Sequence, residues 1–301
     1  MKRVVSVSLG SSTRDHTVEV DFLGQRMQVG REGTDGDFGR ALARLQELDG
    51  KVDAIGLGGI DVYLRVGAKR YVIGDGLKLM QAVHQTPVAD GSGIKNTVER
   101  EAVLYLAAQP KLLQPSSRVL LVSALDRFGM AEAFVQLGCP CVFGDLIFAM
   151  RMDYPITTLA ELEKVAERYR TRMEKLPFHY FYPVGEKQDQ APEEKFGRYY
   201  EEADVIAGDF HFIKRYVPPT LAGKLVVTNT TTSQDVEFLQ ARGVAHLVTT
   251  TPVLEGRSFG TNVLEAMFLA ALGKRQEAVT QEEYEHLTAS LDLKPVIRQL
   301  N

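Results

Sequence analysis

Residues 118–145, RVLLVSALDRFGMAEAFVQLGCPCVFGD, constrain the fold more than any other stretch of the chain. They open with Val119-Leu120-Leu121-Val122, short and β-branched at both ends, which suits a strand buried on both faces. After a turn, Met130 to Leu137 carries apolar residues at helical spacing. Gly138 can end that helix, because glycine takes positive φ at no steric cost. A second apolar run, Cys141-Val142-Phe143, stops at Gly144-Asp145. Strand, turn, helix, strand and acid in that order predict an α/β chain whose second domain is a Rossmann-like, doubly wound parallel sheet.

The turn Ser123-Ala124-Leu125-Asp126-Arg127-Phe128-Gly129 keeps one glycine of the dinucleotide fingerprint. Asp126 would repel a phosphate at the helix N-terminus, and Arg127 would attract one. Asp145 stands where the fingerprint places its ribose-binding acid, which favours NAD over NADP. On that reading Ser123, Arg127, Gly129, Asp145 and, from later strand ends, Thr228 and Thr250 bind the cofactor. The competing reading is a parallel-sheet turn with no dinucleotide.

With 301 residues, two domains are the natural expectation. The boundaries read as 1–95 for an N-terminal α/β domain with hairpins on the substrate side, and 96–117 for a crossing helix and linker. A nucleotide-binding domain spans 118–272, and a tail helix packing back spans 273–301. A formal charge of −4 argues against a nucleic-acid partner, which needs a basic face. Apolar runs are too short for a signal sequence or a bilayer span, so the expectation is a cytoplasmic protein whose partner is a small molecule. A homodimer is compatible with all of this. Cys139 and Cys141 flank Pro140 and have no second ligand pair, so they read as buried thiols and no metal is expected.

In the first hundred residues, Val4 to Gly10 reads as a strand, and His16 to Phe22 with Arg26 to Val29 as a hairpin. Asp35 to Asp37 caps a helix whose apolar positions are Phe38, Ala41, Leu42, Leu45 and Leu48. Val52 to Leu57 is a further strand, and Asp61 to Val66 with Lys69 to Ile73 a second hairpin. The glycine turns after Leu9 and Leu57 permit an alternative, a phosphotransferase holding ATP there. Ser6 and Ser8 stand where its metal-orienting aspartate belongs. Ser11 and Arg14 are candidates for an anionic substrate. Asp90 and Lys95 open the crossing helix, capped by Asn96 or Thr97, where a cleft acid and base belong.

Beyond the central unit, residues 158–175 predict a long helix. The aromatic stretch 177–188 predicts core or interface packing. The strand ending at Asp209 brings Asp209, His211 and Lys214 to the carboxyl edge, and histidine suits proton transfer near neutrality. Hydroxyl-rich strand ends at 228–233 and 249–251 suit a polar, uncharged ligand rim. Arg257, before the helix beginning at Asn262, could hold an anion.

Taken along its whole length, the chain resembles a family of bacterial proteins labelled quinate 5-dehydrogenase, relatives of shikimate dehydrogenase. The resemblance is carried by VVSVSLGSS, GTDGDF, GLGGIDVYL, DGSGIKNTVER, VSALDRFGMAEA, FGDLIFA, YPVGEKQ, IAGDFHFIKRY, VTNTTT and VTTTPVLEGRSFGTNVLEA. It implies a cleft Asp, matched by Asp90, and a cleft Lys whose own motif is missing, with Lys95 as its substitute. The resulting expectation is an NAD(P)-dependent oxidoreductase acting on a small polyhydroxylated carboxylate. Asp90, Lys95, Asp209 and His211 would be its catalytic residues, and Ser11, Arg14, Lys214 and Arg257 would bind substrate. The alternative from a different class is a non-catalytic small-ligand-binding or regulatory protein on the same scaffold.

Overall fold

The computed structural model describes residues 1–109, 111–175, 195–251, 253–254, 257–291 and 293–301. Lys2–Ser8 (β1) buries Val4 on one face and Val5 and Val7 on the other, as a strand between two helical layers must. A 3-10 turn at Ser12–Arg14 leads into the hairpin of His16–Phe22 (β2) and Gln25–Gly33 (β3). Its two-residue loop, Leu23-Gly24, has both φ angles positive, which matches the twist of the paired strands. Asp37 caps Phe38–Leu48 (α1) by accepting the Arg40 N–H, and Ala41, Leu45 and Leu48 form its buried stripe. Ala54–Gly58 (β4), the hairpin Tyr63–Val66 (β5) and Lys69–Val72 (β6), Gly74–Gln81 (α2) and Val88–Ala89 (β7) complete the first lobe. Its main sheet runs β2-β3-β1-β4-β7, parallel except for β2 at the edge.

Lys95–Ala107 (α3) carries the chain across. The second lobe contains Val119–Leu121 (β8), Phe128–Gln136 (α4), Cys141–Phe143 (β9), a π-helical turn at Asp145–Ala149 and Leu159–Lys175 (α5). It continues with Gly197–Glu202 (α6), Val205–Gly208 (β10), Phe210–Tyr216 (α7), Leu225–Thr228 (β11), Ser233–Gln240 (α8) and His246–Thr249 (β12). After the short hairpin Val253–Leu254 (β13) and Arg257–Ser258 (β14) come Thr261–Leu272 (α9), Gln281–Ser290 (α10) and Val296–Gln299 (β15). The second sheet runs β15-β12-β11-β10-β8-β9, parallel except for β15.

Strand order corrects the expected Rossmann-like detail. The parallel strands β9-β8-β10-β11-β12 follow the flavodoxin-like sequence 2-1-3-4-5 rather than the dinucleotide-binding order. The first lobe repeats the scheme as β3-β1-β4-β7. Both sheets therefore reverse winding beside their first parallel strand, and each reversal opens a crevice at the carboxyl ends.

Helix α9, expected to close the second domain, packs on β1, β4 and β7 of the first lobe. It is buried almost all round, from Val263 to Ala270, as a helix lacking a polar face must be. The chain thus crosses between lobes three times among the described residues: along α3, from β12 to α9, and from α10 to β15. One apolar cluster continues from β1 and β4 through α4 into β8 and β10, so the lobes share a core. No helix among the described residues is long and apolar enough to cross a membrane. The aromatic stretch 177–188 lies outside the described residues.

Candidate functional site

The carboxyl ends of the two sheets face each other across a cavity of about 220 Å³. From the first lobe, β1 delivers Ser8 and Gly10, the following turn Arg14, β3 Arg31, and the loop after β4 Asp61. From the second, the turn after β8 delivers Asp126 and Arg127, β10 leads to Asp209 and His211, and β11 to Asn229 and Thr230. Gly260, Thr261 and Asn262 at the start of α9 line the same space.

One ion network, linked through Asp126, joins the lobes there. Lys95, 6% exposed, places its Nζ 2.8 Å from Asp61 of the first lobe and 2.8 Å from Asp126 of the second. Burial alone would favour its neutral form, but the two carboxylates outweigh that and raise its pKa. Lys95 therefore stays an ammonium, which removes it as a proton acceptor. Burial also favours protonated Asp126, yet Lys95 and Arg127 prevail and hold it ionised. Burial and the neighbouring Asp126 shift Asp61 the other way and raise its pKa, against the pull of Lys95.

Arg127, 4% exposed, pairs with Glu99 on α3, with Asp126 at 3.0 Å and with Asp209 at 2.9 Å. Burial pushes Glu99 up to about 7 against the pull of Arg127. Asp209 also accepts the His211 N–H at 2.9 Å, capping α7, and the Asn229 amide at 3.0 Å. His211 is driven toward its neutral form by burial, and the positive charge of Arg14 adds to the effect.

Asp90, Lys95, Asp209 and His211, expected to be catalytic, all line this cavity. Asp90 is heavily committed. It accepts the N–H groups of Val62, Tyr63 and Ser92, the Ser92 hydroxyl and the Gln276 amide, all within 3.0 Å. Of the substrate residues, Arg14 lines the cavity, and Ser11 caps the 3-10 turn through the Thr13 N–H. Lys214 pairs with Asp235 at 3.4 Å. Arg257 belongs to β14, and its side chain lies outside the described residues.

The residues expected to bind a dinucleotide are otherwise engaged. Asp145 accepts the N–H groups of Ala124 at 3.1 Å and Leu125 at 2.9 Å, closing the turn between β8 and α4, and burial pushes it up to about 7. Gly129 lies beneath α3, where a Cβ would come within 2.1 Å of the Asn96 carbonyl oxygen. Its N–H donates to the Asn96 side chain, whose amide in turn donates to Arg65. Asn96 thus binds across helices instead of capping α3, which begins at Lys95 with no side-chain cap. Ser123 accepts the Asp209 N–H, and Thr228 donates to the Gly208 carbonyl. Thr250 is buried away from the cavity lining. The α4 N-terminus is therefore covered by α3, and Asp126 occupies the crevice with Lys95. The turn therefore lacks the open glycine backbone on which a diphosphate would rest.

Sequence reasoning missed Asp61, Glu99, Arg31, Asn229 and Asn262. Asp61 follows the glycine turn at the end of β4, a carboxyl-end position that the switch-point rule singles out once the strand order is known. No cluster of three or more metal-ligating side chains occurs among the described residues. A second cavity of about 110 Å³, lined chiefly by Leu64, Val122, Leu125, Met150, Tyr169 and Phe212, shares the Asp126 wall with the first.

Fold and cleft define a two-lobed α/β chain with its site between doubly wound sheets. Residues 93–300 match the model of a family described as a domain of unknown function (DUF8754), and the chain belongs to that family. Residues 3–90 match a second such description, DUF8753. Comparison with curated proteins finds no match. Similar solved structures include a galactofuranose-binding protein, at 12% identity over 99% of this chain and 95% of that one, TM-score 0.37. A periplasmic ribose ABC transporter protein from Conexibacter woesei aligns at 10% identity over 96% and 94%, TM-score 0.36. A periplasmic solute-binding protein from Actinobacillus succinogenes with bound D-allose aligns at 10% over 99% and 98%, TM-score 0.36.

These findings correct the expected identity. Neither the matched families nor the solved chains just named are described as shikimate or quinate dehydrogenases. The oxidoreductase assignment and its NAD or NADP cofactor fall with the blocked α4 N-terminus and the engaged Asp145. The cytoplasmic expectation rested on run lengths alone. Run lengths do not settle a location, and the expectation is not kept.

Proposed function

We propose that the protein is a non-catalytic binder of one small polyhydroxylated molecule, held in the cleft between its lobes. The observation that carries this reading is the lining of the cavity, in which hydrogen-bonding side chains from the carboxyl ends of both sheets converge. Serine, asparagine and threonine hydroxyls and amides alternate with fixed charges, and Phe259 contributes an apolar wall. A molecule with many hydroxyl groups, each both donor and acceptor, can satisfy such a surface. An apolar ligand would strand it, at a cost of about 1–3 kcal/mol for each unpaired group. The commitments of Lys95 and Asp90 support binding over catalysis, because Lys95 is held as an ammonium and the Asp90 oxygens already accept five hydrogen bonds.

A thermal-shift and calorimetric panel of aldoses, alditols and their acidic derivatives tests this, each at about 10 mM so that even a ~1 mM Kd registers. The expected outcome is a raised Tm with at least one compound, accompanied by a smaller radius of gyration in solution scattering as the lobes close. If no compound shifts Tm or releases heat, the reading fails.

A further inference from the structure

Most charges in the cleft are matched within it. Arg31 is paired with Asp15, Arg127 with Asp209, and Lys95 with both Asp61 and Asp126. The charge on Asp90 is spread over five donors. Arg14 is the exception. Its guanidinium lines the cavity and has no hydrogen bond or ion pair among the described residues.

The backbone around Arg14 is held in place. His16 Nδ1 donates to the Arg14 carbonyl at 3.0 Å, and the His16 ring packs on Phe259 with centroids 6.2 Å apart. Phe259 immediately precedes Gly260 and the start of α9, so the Arg14 turn and that helix end share one corner of the cleft. Helix α9 has no side-chain cap. Among the described residues the N–H groups of Thr261 and Asn262 have no partner, and neither does the Thr261 hydroxyl, on a side chain only 9% exposed. His211, its imidazole likewise without a partner among the described residues, lines the cavity from the second lobe.

We infer that this corner is a subsite for a phosphoryl group, so that the ligand is a phosphorylated polyol. The inference rests on the cleft being the ligand site, and it goes further by assigning the ligand's charge. A guanidinium fork, two backbone N–H groups, a hydroxyl and an imidazole belong to residues that line the same cavity from the two lobes and the start of α9. That is more donors than the two oxygens of a carboxylate can use, and it suits the three terminal oxygens of a phosphate ester.

Calorimetry with matched pairs decides the point: D-ribose against ribose 5-phosphate, glycerol against glycerol 3-phosphate, and gluconate as the carboxylate control. The expected result is that an ester binds at least about tenfold tighter than its parent polyol and than gluconate, with inorganic phosphate competing. Arg14→Gln, which removes no side-chain hydrogen bond or ion pair among the described residues, should weaken the ester far more than the parent polyol and so erase that preference. If parent and ester bind equally, if gluconate binds best, or if Arg14→Gln weakens parent and ester alike, the phosphoryl subsite is wrong and the cleft reading stands. If no polyol, ester or acid binds at all, both fall.

Discussion

Glu265 shows how a single side chain holds the crossing region together. It is fully buried on α9, accepting the Gly91 N–H at 2.7 Å, the Tyr284 hydroxyl at 2.7 Å and the Gln276 amide at 3.0 Å. These bonds join the loop before α3, helix α9 and helix α10, the segments that pass between lobes. Burial pushes its carboxyl from 4.5 up to about 7, and Asp90 adds to the rise. A folded-state pKa above the unfolded one means that the stabilisation is complete below about pH 4.5 and is lost as pH rises through about 7. Glu265→Gln carries a constant penalty for the altered acceptor but lacks this titration. Its stability relative to the natural protein should therefore improve between about pH 5 and pH 8, by up to the order of 3 kcal/mol. Urea melts at a series of pH values measure it, and a pH-independent difference would contradict the argument. None of this was visible in the sequence, where Glu265 reads as one more residue of an apolar helix. Asp90, by contrast, was legible as a cleft residue because its loop opens the crossing helix.

Helices and strands were for the most part readable, since their apolar periods are local. The stripe of α1, the hairpin of β2 and β3, and the strands β8 and β9 stand where alternation and helical spacing put them. The α4 turn is the instructive departure. Its lone glycine fitted a degenerate phosphate loop, but Gly129 is there so that α3 can lie against α4. Gly129→Ala should destabilise the protein by about 1–3 kcal/mol through overpacking, since the Asn96 carbonyl oxygen that the new Cβ meets is backbone and cannot swing aside. Differential scanning calorimetry would register the loss as a lower Tm. An unchanged Tm would mean that the helices are free to separate. The sequence offers no means of telling a glycine needed for a ligand from one needed for a neighbouring helix, because both leave only an absent side chain.

At the scale of the molecule, β15 ties the chain end of the second lobe to a path that has just visited the first. It pairs antiparallel with β12, from Thr249 opposite Val296 to His246 opposite Gln299, and Leu300 extends the contact by donating to Ala245. Removing residues 296–301 should expose the β12 edge and cost several kcal/mol, at about 1 kcal/mol per ladder bond. The first lobe should keep its hydrogen-exchange protection. Loss of protection in β1 and β4 as well would show that the lobes unfold as one unit, as the shared apolar cluster also permits.

The amino-acid sequence alone determined the α/β class, most element positions and the placing of Asp90, Lys95, Asp209 and His211 at strand and helix ends. Burial alternates over two to four residues, so a short window suffices to read it. Strand order, the packing of α9 on the first lobe and the ion network were decided only by the folded chain. Lys95 meets partners 34 and 31 residues away, and Arg127 meets Asp209 at a separation of 82. Pairings at such distances leave no local period. Their electrostatic consequence, an ammonium held charged in the middle of the cleft, exists only once two lobes bring their carboxylates to it.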